Sequence, residues 1–186
     1  MLPRDLDAPV GELVRELAEH VGEPTVVETC LALLRGADRA DHLDALRFLA
    51  GRSFEPGDQA LDPAVWKDYW LRTWGARGLL YVWEESAAAP PVIGGLADEH
   101  WRPAEMCLKV ATRREVGGAG DGAVVLSRHE LPRVRAQAMR TLGAVGDTEH
   151  VEAVRDALDD DAPDVRRAAA RAFERLRARL DLEPRW

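Results

Sequence analysis

Pro132-Arg133-Val134-Arg135-Ala136-Gln137-Ala138-Met139-Arg140-Thr141-Leu142-Gly143 is the stretch whose reading decides the fold. Val134, Ala138 and the Thr141-Leu142 pair fall at offsets 0, +4, +7 and +8, which is one face of a helix. Pro132 sits just inside the start, where a missing N–H leaves no bond unmade, and Gly143 reads as a helix end. Thirty-one residues on, Ala162-Pro163-Asp164-Val165-Arg166-Arg167 repeats the entry, and thirty-one residues back Pro103 takes the place of Val134.

The step of 31 holds beyond the segments that suggested it. Offset +4 reads Val14, Ala45, Ala76, Cys107, Ala138 and Ala169. Offset +7 reads Leu17, Phe48, Leu79, Val110, Thr141 and Ala172, and offset +8 reads Ala18, Leu49, Leu80, Ala111, Leu142 and Phe173. Thr141 is the one polar residue in those three series. A second helix keeps the same beat, with Cys30, Leu61, Val92, Ala123 and Val154 followed four residues later by Leu34, Val65, Leu96, Ser127 and Leu158. Each repeat is therefore expected to hold a short helix A and a longer helix B, with Asp58 and Asp147-Thr148 as N-caps of helix A. Gly36, Gly51, Gly143 and Gly146 are expected at or just past helix ends. Such a pair cannot bury its apolar face alone, so pairs stack.

The expected fold class is all-α: a right-handed α-α superhelix, a solenoid of about five helical pairs plus an N-terminal half-repeat near residues 9–20. One domain is expected over 1–186, with divergent repeats at 9–57 and clearer ones at 58–186. The last helix, Asp164 to Leu180, has a heavily charged outer face and is expected to cap the stack.

Pro132 to Gly143 resembles helix B of a HEAT repeat, particularly the short bacterial HEAT-like type of phycobilisome lyases, and Pro163 to Phe173 resembles it as strongly. The resemblance implies a solenoid whose B helices line the concave side, and it leaves activity open. The family's carboxylate before Val and Arg after Val are matched by Asp161 and Arg166, and approximately by Glu130 and Arg135. Ala104 breaks this ladder in the Trp101 repeat.

The composition narrows the function classes. The chain has 186 residues, 46% hydrophobic and 31% charged, and no apolar run of the ~18 residues that spans a membrane. Met1 to Asp7 is acidic without an apolar core, so the reading expects no secretory leader and a cytoplasmic location. The absence of Asn, with Lys only at 67 and 109 and Ile only at 93, points to a GC-rich bacterial genome, which weakens Arg abundance as a sign of anion binding. Net charge is −8, with −7 in residues 1–86 and −1 in residues 87–186. An acidic chain repels nucleic acid unless its cations gather locally, so nucleic acid is the less favoured partner. Cys30 and Cys107 lie at apolar helix positions and read as buried free thiols. The five His lack metal-ligand spacing, and Ser53, Ser86 and Ser127 lack a nucleophile-elbow context. Gly117-Gly118-Ala119-Gly120-Asp121-Gly122 has no preceding strand and no following Lys-Ser/Thr, so it reads as a loosened repeat in preference to a phosphate loop. No catalytic residue, cofactor or metal is assigned.

What remains is a face. Offsets +2 and +6 of helix B point away from the +4/+7/+8 stripe at 100° per residue. Offset +6 reads Arg47, Gly78, Lys109, Arg140 and Arg171, a basic line, and offset +2 reads Leu43, Trp74, Glu105, Ala136 and Arg167. Trp70 and Trp101, at the same repeat position, are expected to pack together as core. Trp74, with Tyr81, is expected to face outward as an interface anchor beside Arg77. The candidate partner-binding face is thus Trp74, Arg77, Tyr81, Glu105, Lys109, Arg140, Arg167 and Arg171. The favoured reading is a non-enzymatic protein- or peptide-binding scaffold, monomeric or weakly self-associating. The alternative resembles the HEAT-like alkylpurine DNA glycosylases, with Trp74, Arg77, Glu105 and Lys109 imitating a site for a damaged nucleotide.

Overall fold

In the computed structural model, which describes residues 1–54, 58 and 62–182, every regular element is a helix and no strand occurs among those residues. In chain order the α-helices are α1 (Val10–Val21), α2 (Glu23–Leu34), α3 (Leu43–Ala50), α4 (Tyr69–Gly78), α5 (Glu85–Gly95), α6 (Trp101–Arg114), α7 (Gly120–Leu126), α8 (Pro132–Val145), α9 (Val151–Asp156) and α10 (Pro163–Leu180). Short 3-10 turns precede α3 and flank α9. The fold class is the all-α helical-repeat solenoid that the 31-residue step implies. The chain gathers into two compact units, Met1–Gly95 and Leu96–Trp186.

The Leu96–Trp186 unit is regular. Helices α6, α8 and α10 stand side by side as the B row, with α7 packed on α8 and α9 on α10. The A helices have 7 and 6 residues against 14, 14 and 18 for the B helices. Pro132 and Pro163 open α8 and α10. Asp147 caps the turn before α9: its carboxylate accepts the Thr148 N–H at 2.7 Å, and its own N–H donates to His150 Nδ1 at 2.7 Å. That reciprocal pair satisfies donors that a helix start leaves open.

Gly120, within the stretch expected as a loosened repeat, is closely packed. α7 starts at Gly120, and a side chain there would collide with the buried His150 ring. Gly143 also departs from expectation, lying inside α8 and not at its end. A Cβ on it would meet Ala172 Cα at 2.8 Å, so its bare backbone lets α8 and α10 close on each other.

The Met1–Gly95 unit is less regular. α1 packs on α2 and α3, and α2 on α4 and α5. Here helix A can exceed helix B, since α2 has 12 residues and α3 has 8. Gly51 ends α3 at φ 64°, a left-handed conformation open to glycine without strain. Helix A expected near residues 58–65 is overturned over its described part. Residues 63–66 are turn and bend, and Val65 is 51% exposed. Asp62 carries the reason: its side chain accepts the Ala64 N–H at 2.8 Å and its carbonyl accepts the Trp66 N–H at 2.8 Å, with Pro63 between. A side-chain turn of this kind competes with helix. Asp58 pairs with Arg52 at 3.2 Å, and Leu61 lies outside the described residues.

The core follows the repeat register. All six residues at offset +7 are buried, from Leu17 to Ala172. Thr141, the polar exception, is fully buried and lies within 3.1 Å of the Leu108 and Gln137 carbonyl oxygens and 2.9 Å from Thr112 Oγ1. Burial thus costs it no hydrogen bond. Cys30 and Cys107 are buried free thiols, and burial pushes the Cys30 thiol up to about 12 and the Cys107 thiol still further.

Candidate functional site

The expected ladder between repeats is present in altered form. Arg135 makes two 2.8 Å bonds to Asp160, in the turn before the next B helix, and donates to the His129 and Glu130 carbonyls at 3.0 Å. Arg166 donates to the Asp160 and Asp161 carbonyls at 2.7 and 3.0 Å. These arginines therefore tie off the turn before their own helix, instead of pairing with the carboxylates of Glu130 and Asp161. The hydrogen bond from Arg135 holds the Asp160 carboxyl below its ordinary range, and Asp160 in turn raises the Arg135 guanidinium.

With α8 and α10 held this way, a groove runs along their outer face. Arg167, Arg171 and Arg175 succeed one another at i, i+4 on α10 and line it together, with Arg140 facing them from α8. Asp164 is the only carboxylate in the lining, and it pairs with Arg167. Gly143, Ala168 and Ala172 form a floor with little side chain to fill the space, and Thr112 of α6 closes one side. The cavity measures about 460 Å³. Arg171 and Arg175 are exposed and make no ion pair among the described residues.

Arg140 is placed by a polar chain through the buried Gln137. It donates to Gln137 Oε1 at 3.2 Å, and Gln137 donates to Thr112 Oγ1 at 3.2 Å. A hollow beside the groove is lined by Thr112, Glu115, Arg175 and Arg179, the last of which donates to the Gly146 carbonyl.

The other expected face residues are engaged elsewhere. Trp74 is 7% exposed and does not face outward: its ring lies 5.0 Å from Trp66, 5.9 Å from Trp70 and 6.3 Å from Phe54. Arg77 donates to the Leu49 carbonyl, and burial lowers its guanidinium. Tyr81 is 41% exposed, with its ring over Gly11. Arg47 is held by Asp44 and by the Met1 and Phe54 carbonyls, and Gly78 is buried against Cys30 and Leu49. Glu105 is buried between Arg133 at 2.8 Å and Lys109 at 3.1 Å. Trp101 is half-buried beneath the guanidinium groups of Arg102 and Arg133, 4.5 and 4.9 Å from its ring. Of the eight expected residues, Arg140, Arg167 and Arg171 line the groove.

Gln137 and Thr112 were missed, and Arg175 was read with the last helix's other arginines as part of its solvated cap and left out of the expected face. The i, i+4 run of arginines on α10 could have revealed Arg175, but a side-chain chain between two helices leaves no mark in a single helical period. Among the described residues no group of three or more His, Cys, Asp or Glu could hold a metal ion, and no helix is long and apolar enough to cross a membrane.

This geometry of stacked A/B pairs, with arginines knitting successive turns, defines an α-helical repeat protein. Residues 123–184, from α7 through α10, match the family model of HEAT repeats. No curated protein and no solved structure matches the chain.

Proposed function

We propose that this protein is a non-enzymatic scaffold that binds a protein or peptide on the face built from α6, α8 and α10, working as a cytoplasmic monomer or weak homo-oligomer. The observation that carries this is the groove in which Arg140, Arg167, Arg171 and Arg175 converge around one carboxylate. Like charges held together along a groove favour an anionic occupant and raise the rate at which it arrives. HEAT repeats commonly serve as interaction scaffolds, and the Pro132–Gly143 motif supports the finer kinship with the short bacterial type. Trp74, Arg77, Glu105 and Lys109, which would imitate a nucleotide-binding site, are each occupied by neighbours.

Fluorescence anisotropy with a labelled oligoglutamate and a labelled DNA duplex, at low and raised salt, tests the reading. The peptide should bind, weaken with salt, and lose about tenfold in affinity in the Arg140→Ala/Arg171→Ala variant. Tight, steeply salt-dependent duplex binding that exceeds peptide binding would favour the DNA reading instead.

A further inference from the structure

The stripe Arg167, Arg171 and Arg175 has a spacing, and the spacing specifies an occupant. Four residues of α-helix advance about 6 Å, so the three guanidinium stems span about 12 Å along α10. In an extended peptide successive side chains alternate between faces, and every second residue advances about 6.6 Å. Acidic residues at positions i, i+2 and i+4 of such a segment therefore meet the three arginines one to one, the first taking the place of Asp164 on Arg167. The accumulated mismatch of about 1 Å is within reach of long, flexible Arg side chains.

A helical partner with acids at i, i+4 and i+8 would also match the pitch and is the competing outcome of the test below, the extended chain being the slimmer of the two. The floor of Gly143, Ala168 and Ala172 leaves room for a strand-like chain. Arg140 faces α10 across the groove, so a bound segment is contacted from both walls.

Two of the three stripe arginines are open to an incoming acid. Arg171 and Arg175 lack carboxylate partners among the described residues, while Lys109 is held by Glu105 and Arg133 by the same carboxylate. A short stripe suits a short acidic segment better than the long phosphate backbone of a nucleic acid, which draws its affinity from many contacts.

We infer that the α8–α10 groove reads an extended acidic segment of a partner protein in which Asp or Glu recurs at every second position. The inference rests on the scaffold reading above and gives it a register. The test uses the full chain and three labelled peptides of equal charge: one alternating Ala and Glu, one of the same length with Ala-Ala-Glu-Glu blocks, and a longer one that places the same number of Glu at every fourth position in a helix-forming background.

The alternating peptide should bind at least about fivefold more tightly than either of the others, and Arg171→Ala and Arg175→Ala should each remove that preference. Both substitutions are at exposed positions, and circular dichroism confirms that the variants stay folded. Equal affinity for the alternating and block peptides, or tightest binding of the helical one, would overturn the register while leaving the scaffold reading in place. Failure of every peptide to bind, whether single-stranded DNA binds or not, would overturn both.

Discussion

The repeat position that holds Trp74 in the Met1–Gly95 unit holds Arg167 in the Leu96–Trp186 unit, and the two residues have opposite fates. Trp74 is sunk in a cluster of Trp66, Trp70 and Phe54, whereas Arg167 lines an open groove. The first unit closes its core with bulky rings, an irregular turn at residues 62–66 and a helix, α5, that carries Pro90 and Pro91. The second closes its core with aliphatic and small residues at a strict period, so its helices approach through Gly143 and Ala172 and leave their outer stripe free. A helical period places residues on faces. Which faces are spare depends on how large the residues are that fill the core.

The largest expected effect comes from breaking this contrast at its own register. Trp74→Ala should destabilise the protein by about 4 kcal/mol in chemical denaturation, because it opens a cavity among three rings. Cys30, inert while buried, should then react with a thiol reagent well before Cys107 as denaturant rises. Simultaneous reaction of the two thiols would show that the units unfold as one.

Gly75→Val should cost about 3 kcal/mol, since a Cβ there would lie 2.5 Å from the Cys30 carbonyl oxygen and 2.8 Å from the Leu34 nitrogen. Gly143→Val, which meets Ala172 Cα at 2.8 Å, should cost a similar amount and also widen the α8–α10 groove. Calorimetric melting of the two variants compares how each unit tolerates the same insult.

Asp160→Asn should cost about 1.5 kcal/mol at neutral pH by leaving Arg135 without its counter-charge. The folded Asp160 carboxyl is held low by Arg135, so its contribution is present above the unfolded value of about 3.9 and is lost as pH falls through the folded one. The stability gap between wild type and variant should therefore be constant above about pH 5 and close below about pH 4. A gap that persists at the lowest pH would assign the effect to packing.

The smallest effect is expected at Arg167→Ala and Arg171→Ala, each within about 0.5 kcal/mol of wild type by denaturant titration, because both side chains are exposed. A large loss would mean that the stripe serves the fold, and the contrast with Trp74 would vanish.

The candidate site was legible where the period was undisturbed. Arg140, Arg167 and Arg171 follow from offsets in a regular helix stack, and Arg175 was within reach of the same logic. Trp74 and Arg77 were misplaced because direction on a helix says nothing about what a neighbouring helix lays over it. The missing helix at residues 62–66 came from Asp62, whose local turn outweighs a hydrophobic beat shared with distant repeats. The pairing of Arg135 with Asp160, not Glu130, arises because a long guanidinium stem reaches the next turn of the stack.

By itself, the sequence determined that the described residues fold into helices, that the B helices recur every 31 residues, and which residues form most of the core stripe, because periodicity and turn chemistry are local properties. Only the tertiary structure decided that α8 and α10 leave an arginine-lined groove while Trp74 is enclosed. That outcome depends on side-chain volume and on contacts between helices far apart in the chain, and a one-dimensional pattern carries neither.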